Sequence, residues 1–233
     1  MCLRPSHVLS LEDEEGTDMY CSQRAHSLLS GMLKEVPLRS INWLDSGDYH
    51  YLSRITTDRI GERFSLVLFD HHPDMQIPSF GRILSCGGWL RDSLEDNPFL
   101  SKVVVVGIAP SLLEETEGFP GKVSVVPETA LPVAPETILE LLPEDLPVYL
   151  SIDKDVLSDD YASTNWDQGS MTLANLLSCI CGIGGRRRIL GADICGELSV
   201  PKGARVSDFV LNSLCNQRLY DTLCPILRAS TLD

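Results

Sequence analysis

Phe64 to Gln76 reads FSLVLFDHHPDMQ, a continuous apolar run that ends abruptly in Asp70, His71, His72, Pro73 and Asp74. Carboxylates with an imidazole supply hard oxygens and a borderline nitrogen, a donor set that suits a divalent metal ion. On a strand, residues two apart face the same way, so Asp70 and His72 leave its carboxyl end together. Pro73 stops the strand, and Asp74 can curl back toward the same spot. Asp, His and Pro after a strand also form plain solvated turns, so one motif decides little. A second one follows: PVYLSI runs into Asp153-Lys154-Asp155. Four carboxylates brought to one sheet edge would raise each other's pKa unless cations neutralise them. Two divalent ions roughly 3.5–4 Å apart relieve that repulsion and can activate a water between them.

The elements that must position these residues are legible as apolar runs and amphipathic stretches. Strands are predicted at His7–Leu11, Ser40–Leu44, Ser65–Phe69, Lys102–Ile108, Val123–Val126, Pro147–Ile152 and Arg188–Ile194. Helices are predicted over about Ser22–Leu33, Tyr51–Ile60, Leu90–Leu94, Pro135–Leu142 and Thr172–Cys181, with one or two more from Asp208 to Leu227. Strands alternating with helices at this spacing predict an α/β fold with a mostly parallel, doubly wound sheet. In such sheets, ligands bind at the carboxyl ends of the strands.

The 233 residues fit one domain, 1–233, and 43% hydrophobic content fits a sizeable core. No apolar run approaches the roughly 18 residues of a membrane span. The opening MCLRPSHVLSLEDEEG lacks the apolar core of a signal peptide, which makes the cytoplasm the expected location. Eight cysteines without a C-x-x-C pair argue for reduced thiols over structural zinc or a disulfide scaffold. A formal charge of −14 argues against a nucleic-acid partner and favours cationic ligands.

FDHHPDMQ resembles the D-A-H-x-D segment of the arginase/agmatinase (ureohydrolase) family, and SIDKDVLSDD resembles its S-x-D-x-D segment. The two occur in the family's order and separation, and the similarity runs from about Ser40 to about Glu197. The resemblance implies a three-layer α/β/α fold and two Mn2+ per chain. It implies hydrolysis of a guanidino or amidino C–N bond in a small, cationic substrate, and a tendency to homo-oligomers. By position, Asp70 and Asp153 would bridge the metals, Asp74 would complete the first site, and His72 and Asp155 the second. The family's remaining ligand, the histidine of G-G-D-H-S, corresponds to His50 with one residue inserted before it, or to Tyr49 if the register holds.

Several positions depart from the family. Its catalytic histidine is replaced by Cys86 before Gly87, which leaves Cys86 and His71 as candidate proton donors. Glu197 stands near the late acidic residue that holds the guanidinium, though one position further along, with Asp193 as the fallback. Gln76 occupies the place of the asparagine that reads the substrate's carboxylate, and Asn165 and Trp166 stand in the loop after the second motif. A tryptophan there can form an apolar or cation–π wall. The same fold also hosts single-zinc deacetylases, and loss of the catalytic histidine is compatible with a catalytically silent, metal-binding regulatory member.

Overall fold

The computed structural model describes residues 6–9, 11, 14–77 and 81–229. In chain order its elements are β1 (Ser6–Val8), β2 (Tyr20–Cys21), α1 (Gln23–Lys34), β3 (Ile41–Trp43), α2 (Leu52–Thr57), β4 (Phe64–Phe69), β5 (Leu84–Ser85) and α3 (Trp89–Asp96). They continue as β6 (Leu100–Ile108), β7 (Val123–Pro127), α4 (Pro135–Glu140), β8 (Val148–Asp153), α5 (Leu173–Gly184), β9 (Ile189–Cys195) and α6 (Val206–Ala229). Seven strands form one sheet in the order β1-β3-β9-β8-β4-β6-β7. Every pairing in it is parallel.

A parallel sheet must be covered on both faces, and the Val-, Ile- and Leu-rich strands show why. Along β4, Leu66 and Leu68 pack with α1, α2 and α3, while Val67 and Phe69 pack with α4, α5 and α6. On β6, Val103 and Val105 join the first layer, and Val104 and Val106 the second. Each such side chain, fully buried, contributes about 1.5–3 kcal/mol. The result is a three-layer α/β/α fold, as the alternation of strands and helices predicts.

Boundaries moved where a single neighbour or a short element weakens the signal. The first strand covers Ser6–Val8 instead of His7–Leu11, because this sheet edge pairs only with the three-residue β3; Ser10 lies outside the described residues. The helix expected over Tyr51–Ile60 is confined to Leu52–Thr57, preceded by a 3-10 turn over Gly47–Tyr49. The closing segment is one helix, α6, which contains Pro225. The antiparallel pair β2–β5 has no sequence signal, since two-residue strands carry no periodicity. Among the described residues no helix is long and apolar enough to cross a membrane.

The strand order reverses between β4 and β8. The chain leaving β4 enters α3 on one face, and the chain leaving β8 reaches α5 on the other. Diverging connections open a crevice at the carboxyl ends of these two neighbours. One step beyond the register pair Phe69–Ile152, Asp70 and Asp153 stand side by side. The next pair along, Asp153–Cys195, extends the row onto β9.

Candidate metal centre

Each carboxylate in the crevice is held by a defined contact. Asp70 Oδ1 accepts the His72 N–H at 2.7 Å, while its buried Oδ2 has no hydrogen-bond partner. Asp74 sits at φ 51°, a left-handed conformation that Asp tolerates better than most residues, and this turns the chain back toward the crevice. The Trp89 indole donates to Asp74 Oδ2 at 2.5 Å. Asp153 Oδ1 accepts the Asp155 N–H at 3.0 Å. Asp155 takes the His71 N–H on Oδ1 at 3.0 Å and faces His72 Nδ1 through Oδ2 at 2.9 Å.

His50, rather than Tyr49, turns into the cluster; Tyr49 packs in the α1–α3 layer. His50 Nδ1 lies 2.9 Å from Asp74 Oδ2, 3.3 Å from Asp70 Oδ2 and 3.6 Å from Asp153 Oδ2. Its other nitrogen, Nε2, contacts Ser151 Oγ on β8 at 2.8 Å. A proton on Nε2, donated to Ser151, leaves the Nδ1 lone pair aimed at the carboxylates, the arrangement a metal-binding imidazole requires.

Burial lifts the pKa of Asp70, Asp74, Asp153 and Asp155 above the usual carboxylate range, and neighbouring carboxylates add to it. Asp155 is pushed up to about 6, first by burial and then by the charge of Asp70. Burial works against protonation of His50 and His72, but their acidic neighbours outweigh it and both stand above the ordinary histidine range. Such a cluster holds protons it would surrender to a cation.

Two donor groups share Asp70: His50 with Asp70 and Asp74, and Asp70 with His72 and Asp155, the candidate atoms of each lying within 4.8 Å of one another. Oxygen-rich sets with one imidazole each, and an orphaned buried Oδ2 between them, fit a pair of divalent ions. A third group joins His50 and Asp153 to Cys195. The sequence expectation ends the last strand at Ile194, one residue short; applying the strand-end rule at Cys195 would have found this thiol.

The cleft above the cluster is walled by Met19, Tyr20, Gln76, Ser85, Cys86 and Trp166. The β2–β5 pair delivers the Met19–Tyr20 and Ser85–Cys86 sides, which the sequence did not indicate. Trp166 stays exposed at the mouth, its indole donating to the buried Asp48 at 3.2 Å and its ring 6.0 Å from that of His72. Asn165 does not line the cleft. It donates to Asp48 Oδ2 at 2.9 Å and accepts from Ser46 at 3.1 Å, which ties its loop to the turn before His50. His71 lies outside the cleft too, with Nδ1 packed beside Gly169.

Glu197 is the clearest departure from expectation. Its carboxylate pairs with the fully buried Lys154 at 2.5 Å and accepts from Asn216 at 2.7 Å, away from the cleft. Gly196 causes this: at φ 92°, it closes so tightly on the second motif that an added Cβ would lie 2.5 Å from Asp153 Oδ1 and 2.7 Å from Lys154 N. Asp193, the fallback, lies beneath, held by Asn42 and Tyr149 at 2.7 Å each. Gly196→Ala should therefore cost about 2–3 kcal/mol, from the left-handed backbone alone and more from the clash, and thermal unfolding measures it. A Tm unchanged from wild type would refute the tight closure.

A family model for the arginase family matches residues 50–206, and this span includes both motifs. The chain belongs to the arginase family. An uncharacterised protein of Thermotoga maritima is 40% identical over 192 residues, covering 77% of this chain and 70% of that one. Solved structures share the family's fold at lower identity. A hypothetical agmatinase from Burkholderia thailandensis superposes with a TM-score of 0.70 at 18% identity, over 89% of this chain and 66% of that one. Trypanosoma cruzi formiminoglutamase with Mn2+ gives 0.68 at 16% identity, over 90% and 72%. The chain thus spans about two thirds of the length of these arginase-fold enzymes.

Proposed function

We propose that this arginase-family chain is a divalent-metal hydrolase with two ions per chain, manganese being the family's usual ion. The proposed reaction cleaves a C–N bond of a small guanidino, amidino or formimidoyl compound. The observation that carries this reading is the convergence of two donor groups on the shared Asp70. In this reading Asp70 and Asp153 would serve both ions, His50 and Asp74 would hold one, and His72 and Asp155 would hold the other. Bound there, the ions would supply an activated water and a Lewis acid.

The chain's own residues have definable tasks. Trp89 and Ser151 hold Asp74 and His50 in orientation. Trp166 and Met19 narrow the cleft. Cys86 is the proton-donor candidate that the cleft contains; burial pushes its thiol up to about 12, so it carries its proton at neutrality. Gln76, with its amide against Gly87, offers the substrate hydrogen bonds. Apart from the metal-ligand set, no charged side chain lines this cleft among the described residues. With Glu197 paired to Lys154, the metal-ligand carboxylates are the acidic groups left to face the substrate's cationic head in this cleft. The proposal places residues 1–233 in one domain that works in the cytoplasm, with homo-oligomers expected of the family.

The test is to load purified protein with manganese and follow urea or ammonia release from agmatine, arginine, guanidinobutyrate and a formimidoyl amino acid. Turnover of at least one, abolished by chelation, with two ions bound per chain, is the expected result. One zinc per chain with amide cleavage would replace it by the deacetylase-type reading. Two ions with no turnover on any of these would favour a silent metal-binding member, a reading that the diversion of Glu197 to Lys154 supports.

A further inference from the structure

Cys195 has no part in the ligand set assigned above, yet it ends β9 beside Asp153 and is fully buried. Its Sγ–H donates to Asp153 Oδ2 at 3.1 Å, and that same oxygen lies 3.6 Å from His50 Nδ1. Sulfur, imidazole and carboxylate donor atoms fall within 4.8 Å of one another. A buried thiol against a carboxylate can be ordinary packing. A second observation points to a ligand here. Asp70 Oδ2 faces the same His50 nitrogen at 3.3 Å, is buried, and makes no hydrogen bond. Asp74 Oδ2 accepts from Trp89 and Asp153 Oδ2 from Cys195, which leaves Asp70 Oδ2 as the oxygen of this set without a donor, and a cation beside His50 would satisfy it.

We propose that Cys195 Sγ is a donor to the ion held beside His50, and that this sulfur tilts that subsite toward zinc-class ions while the His72 subsite remains manganese-like. The chemistry follows from ligand softness: thiolate selects zinc, cobalt or iron over manganese, whereas carboxylates and water favour manganese. On binding, the thiol loses its proton to solvent and the sulfur lone pair is donated to the ion. The two subsites then differ in kind, with nitrogen, oxygen and sulfur on one side and nitrogen with oxygens alone on the other. The inference rests on the metal-centre reading and refines which ion occupies one half of it.

Cobalt distinguishes the two levels, because a cobalt–thiolate bond gives an intense charge-transfer absorption that oxygen and nitrogen donors do not. Purified wild type, Cys195→Ser and Cys86→Ser would each be titrated with Co2+, with bound metal counted after dialysis. Charge transfer in wild type and Cys86→Ser but not in Cys195→Ser is the expected result. Zinc affinity should fall about tenfold or more in Cys195→Ser, with manganese affinity little changed. Cobalt bound to wild type without charge transfer overturns the role of Cys195 and leaves the metal centre standing. No cobalt bound at all overturns the metal centre and this inference with it. Should Cys195→Ser fail to fold, the wild-type and Cys86→Ser spectra still decide, since Cys86 is the thiol that lines the cleft above the cluster.

Discussion

Asp155→Asn is expected to do two opposite things: abolish metal-dependent stabilisation and turnover, and make the chelator-treated protein more stable. The first half follows from the donor set, since an amide cannot supply the charge that holds a divalent ion opposite His72. Losing that subsite should cost about 10³-fold or more in rate, or roughly 4 kcal/mol of transition-state stabilisation. The second half follows from electrostatics. Burial, then the charge of Asp70, pushes the Asp155 carboxyl up to about 6, so at pH 8 its ionised form works against folding. Each pKa unit corresponds to about 1.4 kcal/mol, and the variant forfeits the Asp155 contact that stabilises protonated His72, which returns part of that gain. Asparagine can still accept the His71 N–H, and its amide can donate to His72 Nδ1 once that ring, without the Asp155 charge beside it, gives up its proton. A gain of about 1–2 kcal/mol is expected, equivalent to a Tm roughly 2–8 °C higher in chelator. In wild type, an ion at 100 times its Kd should add about 2.7 kcal/mol per site. A variant that is less stable in chelator, yet still stabilised by manganese as wild type is, would show that these carboxylates are not a strained ligand set. Function held against stability in this way is common in sites that bind cations.

Metal affinity should rise steeply with pH, with at least one proton released per chain on binding at pH 7–8. The sign follows from His72. Burial opposes its protonation, but hydrogen bonds and charges from Asp155 and Asp70 prevail and push its pKa up to about 11. The ring therefore carries a proton at neutrality on the nitrogen that faces Asp155, and that proton must leave before the nitrogen can ligate. Affinity should grow about tenfold per pH unit for each proton displaced. The carboxylates act in the opposite sense on the chelated protein. Asp155 has a folded pKa above its unfolded value of about 3.9, so the folded state binds the extra proton between about pH 4 and 6. Its contribution to stability is best below that window and is lost as pH rises through it. Chelated protein should thus lose stability from pH 4 to 6, while the manganese-induced rise in Tm should grow from pH 6 to 8. Calorimetric titrations in buffers of different ionisation enthalpy count the protons. A release near zero, with affinity flat in pH, would mean that His72 is already neutral and that the Asp155 contact is weak.

What the sequence determined by itself is the framework and the acidic core of the centre. Runs such as SLVLF and KVVVVGI are apolar on both faces, and only a sheet covered by helices on both sides can bury them. Asp70 and Asp153 follow from the ends of two apolar runs that become neighbouring strands, while His72, Asp74 and Asp155 reach the same crevice through the turns beyond them. Only the tertiary structure decided the rest, because those features depend on contacts between segments far apart in the chain. The turn of His50 into the cluster is set by Ser151 on β8, about a hundred positions away. The walls Met19 and Tyr20 arrive through the two-residue pairing of β2 with β5. Glu197 is taken by Lys154 because Gly196 closes against Asp153, and the same closure leaves Cys195 as the side chain that β9 presents to the centre. Periodicity reports which face a residue takes, and it carries no information about which distant partner will be waiting there.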